Sequence, residues 1–102
     1  MLPKGRRLTA DEVQVVLSQG RSSRAGNLSM KRLLTKEPLR FAAVVSKSVA
    51  KKAVARNRIR RALYRALTPF SGEGQAIIFV RTVPEPPLTP AFGRDLAQLL
   101  SK

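Results

Sequence analysis

With 102 residues, 20 Lys and Arg against six Asp and Glu, a net charge of +14, and neither cysteine nor histidine, this chain leaves little room for protein-side catalysis. The missing thiol removes disulfides, thiolate metal sites and a cysteine nucleophile, which suits a cytoplasmic protein, and the missing imidazole removes the usual general base and the commonest metal ligand. The acids Asp11, Glu12, Glu37, Glu73, Glu85 and Asp95 are scattered, so neither an acid–base pair nor a carboxylate cluster is in view.

The length makes one domain, residues 1–102, able to bury about 60 to 70% of the surface its unfolded chain exposes. Its start, "MLPKGRR", lacks the apolar stretch of a secretory signal. Thr9 and Glu12 then form a Thr-x-x-Glu capping box. Val13, Val16 and Leu17 follow on one helical face and Gly20 serves as a stop, so a first helix is predicted over residues 10–19. "RSSRAG", residues 21–26, reads as a loop, and residues 27–34 alternate weakly, as in an edge strand carrying Lys31 and Arg32. After a turn at Lys36 and Pro38, "LRFAAVVSK" is apolar on both alternating faces, the pattern of a central strand buried on two sides. A basic helix comes next and is broken by "SGEG". "QAIIFVRTV" is a second central strand with β-branched weight, and "PEPP" ends it. The prolines between Pro84 and Pro90 read as a loop. Thr89 as N-cap, with Pro90 at the first helical position, opens a last helix with Phe92, Leu96, Leu99 and Leu100 along one face. Two strands flanking the basic helix make a β-α-β unit. The expectation is an α/β chain of the α+β two-layer kind, a small mixed sheet covered by helices.

The basic segment, "SKSVAKKAVARNRIRRALYRAL" at residues 46–67, holds eight Lys and Arg in 22 positions without one acid. Disordered basic arms lack apolar periodicity, whereas here Ala55, Ile59, Ala62, Leu63 and Ala66 recur on one helix face. Arg56 and Arg60 fall along one flank, Arg58, Arg61 and Arg65 along the other, with Asn57 and Tyr64 outermost. Solvated helices mix signs to gain i,i+4 pairs, and the absence of any acid over residues 40–65 argues for a surface that meets an anion. The guanidinium fork suits bidentate phosphate contacts, so a structured nucleic acid is the leading partner. An anionic membrane is the rival, yet the longest apolar run, residues 76–80, is strand-sized. A helix-turn-helix reader of DNA would need a second helix against the basic one, and a strand is predicted there instead. A structural RNA binder of ribosomal type shares the composition.

The arrangement A-R-N-R-I-R-R, residues 55–61, resembles the Arg-Asn-Arg signature of the bacterial ribonuclease P protein subunit. "VVSKSVAKKAVARNRIRRALYRAL" is similar to that family's strand, Ser-Lys turn and signature helix in order, "RRLTADEVQVVLSQGRS" to its opening helix, and "AIIFVR" to its later strand. The resemblance implies a left-handed β-α-β crossover, where periodicity alone leads to the right-handed default. It also implies an RNA catalyst that removes the 5′ leader of precursor tRNA, with Mg2+ bound mainly by that RNA and no catalytic residue on the protein. Carried onto this chain, the contacts to the catalytic RNA are Arg56, Asn57, Arg58, Arg60 and Arg61, with Ser46, Lys47, Lys51 and Lys52 beside them and Arg65 further along the helix. A leader cleft between the first helix and the sheet falls on Val13, Leu17, Lys31 and Phe41. Val13, Leu17 and Lys31 stand where the family commonly has aromatic residues, which leaves Phe41 as the flat side chain of the cleft.

Overall fold

Glu12 sets where the fold begins. In the structure, a computed structural model that describes residues 6–101, helix α1 spans Ala10–Gln19, as its capping box requires. The opening "MLPKG" lies outside the described residues. Thr9 N–H donates to Glu12 Oε1 at 2.9 Å, and Glu12 N–H donates to Thr9 Oγ1 at 3.3 Å. Gly20 closes the helix by donating its N–H to Val16 O at 2.7 Å. A Cβ at that position would sit 2.6 Å from the same oxygen, so the close approach requires glycine.

Segment 21–26 is not a loop. Strand β1, Arg21–Ala25, pairs antiparallel with β2, Leu28–Pro38, in a register running from Arg21↔Arg32 to Ala25↔Leu28. The hairpin turns on Gly26 at φ 56° and on Asn27, whose N–H donates to Asp95 Oδ2 at 3.0 Å. The pairing makes β2 an interior strand rather than the expected edge, because β4, Glu73–Val80, lies antiparallel on its other side. Strand β3, Arg40–Val45, runs parallel to β4 and ends the order β1-β2-β4-β3, so it too departs from the central position expected. Its outer side is partly closed by a parallel bridge from Arg7 to Phe41, with Leu8 N–H donating to Phe41 O at 2.9 Å. Helix α2, Ala53–Leu67, crosses from β3 to β4, and α3, Leu88–Leu100, follows. Pro87, not Thr89, is the N-cap of α3. Thr89 instead donates its hydroxyl to Ala62 O at 3.4 Å and ties α3 to α2, while Pro90 sits in the first turn, where no N–H is required.

Successive strand side chains point to opposite faces. On one face Leu28, Met30, Phe41, Ala76 and Ile78 join Leu63 and Leu67 of α2 and Phe92, Leu96 and Leu99 of α3 in the main core. The other face carries Arg40, Gln75 and Ile77, and α1 is laid across it, burying Val16 and Ile77. Glu12 fastens this layer. Beyond its capping role it forms an ion pair with Arg40 and accepts from Gln75 Nε2 at 3.0 Å. The sheet therefore carries two helices on one side and one on part of the other.

Because Glu12 caps α1 and also satisfies Arg40 and Gln75, Glu12→Ala is expected to cost about 2 to 3 kcal/mol. Urea unfolding should show a lower midpoint with an unchanged slope.

Candidate nucleic-acid interface

The apolar arc of α2 is formed by Ile59, Ala62, Leu63, Ala66 and Leu67. Leu67 widens the stripe toward Tyr64, which is consequently half-buried against the main core rather than outermost. The same displacement divides the arginines. Arg56 and Arg60 lie on the half-buried flank and have protein partners. Arg56 Nη1 donates to Ala50 O at 3.0 Å and to Lys51 O at 2.8 Å, pinning the turn 46–52 onto the helix, and Arg60 Nη1 donates to Asn57 Oδ1 at 2.9 Å. Arg58, Arg61 and Arg65 are exposed. With Asn57 and Val54 of α2 and Leu88 and Thr89 of α3 they line a crevice of about 500 Å³. Among the described residues, the ion pairs join Arg40 to Glu12 and Glu37, so no carboxylate neutralises these three guanidinium groups. Lys47, Lys51 and Lys52 are exposed on the turn that leads into the helix.

Ser46 belongs to a second surface. On the part of the sheet that α1 leaves open, a groove of about 720 Å³ is lined by Ser22, Arg24, Ser29, Lys31, Val44, Ser46, Ser48, Phe79 and Arg81 among others. Ser46 and Ser48 touch through their hydroxyls at 2.8 Å at one end. Lys31 lines this groove, and its Nζ donates to Leu17 O at 2.7 Å, tying the groove's edge to α1. Phe41 does not line it. Its side chain is fully buried in the main core on the opposite face of the sheet, with the Arg6 guanidinium 5.7 Å from the ring centroid, and nothing entering the groove can reach it. Val13 is half-buried and Leu17 is 37% exposed, and among the described residues the lining comes from the strands and the turn after β3 rather than from these two side chains. The pull of Arg40 and Gln75 on Glu12 explains the difference, since it sets α1 with its 12 and 16 positions toward the sheet and turns Leu17 outward.

Phe79, Arg81 and Arg24 line this groove without a local sequence pattern that assigns them to it. Phe79 sits in a run apolar at every position, so its parity relative to Ile78 could not be assigned a face. Arg24 sits in "RSSRA", which has no apolar alternation to mark a strand, and the Gly-Asn pair that follows it is the one local hairpin signal.

A mixed four-stranded sheet with an unneutralised arginine helix on one side and an open cationic groove on the other defines a small α+β nucleic-acid-binding protein. The profile of the Ribonuclease P family matches residues 2–100. The ribonuclease P protein component of Pseudanabaena sp. (strain PCC 6903) is 36% identical over 109 aligned positions, covering 100% of this chain and 94% of that one. Among solved structures, the RNase P protein of Staphylococcus aureus superposes with a TM-score of 0.79 at 21% identity, over 96% of this chain and 94% of the other. The Thermotoga maritima RNase P protein gives a TM-score of 0.72 at 17% identity, over 92% and 94%. The chain belongs to the ribonuclease P protein family. Its function is that of the family: it is the protein component of the endoribonuclease that processes tRNA 5′ ends, a metal-dependent ribonucleoprotein in which RNA carries the chemistry. Family membership thus decides against a purely structural RNA binder of ribosomal type, and it gives the chain an RNA partner.

Among the described residues no group of three His, Cys, Asp or Glu side chains comes together. Among them too, no helix is long and apolar enough to cross a membrane.

Proposed function

We propose that α2 is the face that docks on the catalytic RNA and that the groove on the opposite side of the sheet receives the 5′ leader of precursor tRNA. The observation that carries this reading is the exposure of Arg58, Arg61 and Arg65 on one helix, beyond ion-pair reach of any described carboxylate. Each guanidinium offers a planar donor fork to a phosphate. Asn57 and the turn cations Lys47, Lys51 and Lys52 extend the same surface. Arg56 and Arg60 serve it from behind, Arg56 by holding the turn and Arg60 by orienting the Asn57 amide. Ser46, at the junction, contacts RNA from the groove side.

In this reading the protein screens phosphate–phosphate repulsion where leader and catalytic RNA approach, and so raises the effective affinity of the holoenzyme for its divalent ions. Those ions are Mg2+, bound mainly by the RNA. The partners are the catalytic RNA and precursor tRNA, not DNA or a membrane, and the setting is the cytoplasm.

The test is cleavage of a precursor tRNA by a bacterial ribonuclease P RNA with and without the chain, across a Mg2+ titration. The chain is expected to accelerate leader removal most at low Mg2+, with the advantage fading as Mg2+ takes over the screening. Equal rates at low Mg2+ with a chain that still shifts the RNA in a gel would overturn the proposal.

A further inference from the structure

We infer that Asp95 and Asn27 are positioning residues for precursor tRNA, fixing the point at which Arg81 leaves the sheet and so the place of its guanidinium on the groove, a role that rests on the groove being the leader site. Arg81 follows β4 directly and lines the groove. Both ladders of β4 end one residue earlier, where Val80 pairs with Leu28 on β2 and with Val45 on β3. The segment that follows, "TVPEPP", is exposed over most of its length, and its three prolines bring no N–H to hold it. Strand pairing alone therefore does not place Arg81.

Asn27, in the turn between β1 and β2, does. Its carbonyl accepts from Arg81 N–H at 2.8 Å and from Thr82 N–H at 3.3 Å, and its Oδ1 accepts from Thr82 Oγ1 at 2.7 Å. Asn27 is itself fixed from α3, because its N–H and its Nδ2 both donate to Asp95 Oδ2, at 3.0 and 3.3 Å. Gly26 makes room for that carboxylate. A Cβ there would lie 2.6 Å from Asp95 Cγ, so another residue would push Asp95 off the turn. The chain of contacts thus runs from α3 through the hairpin turn to the exit of β4, joining residues 68 and 55 positions apart in the sequence.

Charge and positioning make opposite demands on Asp95. By charge alone, an acid beside a cationic groove weakens its hold on phosphates, and removing that acid should tighten RNA binding. If Asp95 instead acts through Asn27 on Arg81, removing it lets the turn move off α3 and takes Arg81 with it. RNA binding should then weaken, and only for RNA that reaches the groove.

The experiment uses the holoenzyme reconstituted from catalytic RNA and the full chain, and compares the affinity of precursor and mature tRNA. Asp95→Ala is expected to weaken precursor binding about fivefold, although it removes a negative charge, and to leave mature tRNA unchanged. Asp95→Asn retains an oxygen for the Asn27 N–H and should restore native affinity. In an Arg81→Ala chain, itself about fivefold weaker on precursor, Asp95→Ala should add no further loss, while it lowers the melting temperature as much as it does in the native chain. Precursor binding that tightens or stays unchanged in Asp95→Ala overturns the positioning role. So does an equal loss on mature tRNA, an Asp95→Asn chain as weak as Asp95→Ala, or a loss that adds in full to that of Arg81→Ala. If Arg81→Ala alone weakens precursor binding in that event, the groove remains the leader site. If Arg81→Ala and Lys31→Ala are both neutral, the two readings fall together. Should Asp95→Ala melt below the assay temperature, Thr82→Val decides, since it removes only the hydroxyl bond to Asn27 Oδ1. It is expected to weaken precursor binding about twofold, and only where Arg81 is present. Native precursor affinity in Thr82→Val would then overturn the inference.

Discussion

Ile59→Asp is expected to abolish folding, while Arg60→Ala, one residue along the same helix, keeps the fold and weakens RNA binding. Ile59 is 5% exposed in the core between α2 and the sheet, surrounded by apolar side chains. Losing its burial costs about 2 to 3 kcal/mol, and placing a carboxylate in the same space adds several more, since protonating it at neutral pH is itself uphill. A domain of this size has about 5 to 15 kcal/mol in total, and the +14 charge lowers the margin through self-repulsion. Arg60 lies on the half-buried flank with its guanidinium on Asn57 Oδ1, outside the core, so removing it frees the amide and takes away one cation. Circular dichroism melting, followed by titration with the catalytic RNA, separates the two. A folded Ile59→Asp chain, or an unfolded Arg60→Ala chain, would contradict the phase of α2.

How much of this could be read from the chain differs element by element. Helix α1 was legible because a capping box and a closing glycine are local chemistry, and α2 because an apolar stripe and a cationic arc share one period. Strand β1 was not, since "RSSRA" carries no apolar alternation and is held by its partner β2 and by Asp95, 68 residues beyond Asn27 in the chain. Phe41 and Phe79 show the limit most sharply. Each sits in a run that is apolar at consecutive positions, and such a run fixes a strand without saying which parity faces the helices. That choice comes from the β3–β4 register, which pairs Phe41 with Ala76 toward α2 and Val44 with Phe79 toward the groove. The cation surface of α2 was visible as a whole, but the widening of the stripe by Leu67 decides which arginines are open and which brace the protein. Glu12 was legible as a cap and not as the partner of Arg40 and Gln75, which are 28 and 63 residues away.

That division among the arginines leads to the largest expected loss of RNA binding. Replacing Arg58, Arg61 and Arg65 together by Ala should leave the melting temperature unchanged or raised, because none of the three has a described carboxylate partner and their mutual repulsion disappears. Affinity for the catalytic RNA should fall about a hundred- to a thousandfold at low salt. The slope of log affinity against log salt should become shallower by about 2 to 3, one phosphate contact and its released counterions being lost with each arginine. A matched triple variant removes the same charge elsewhere, at Arg21, Lys36 and Arg94, all exposed and outside both surfaces. If the +14 charge acted only as a diffuse field, the two triple variants would bind alike. If α2 is the docking face, the matched variant retains most of its affinity and nearly the full slope, and the two curves diverge most at low salt, where direct phosphate contacts dominate. Filter binding or fluorescence titration over a range of potassium chloride reads both quantities at once, and superimposable curves for the two variants would remove α2 as the specific RNA surface.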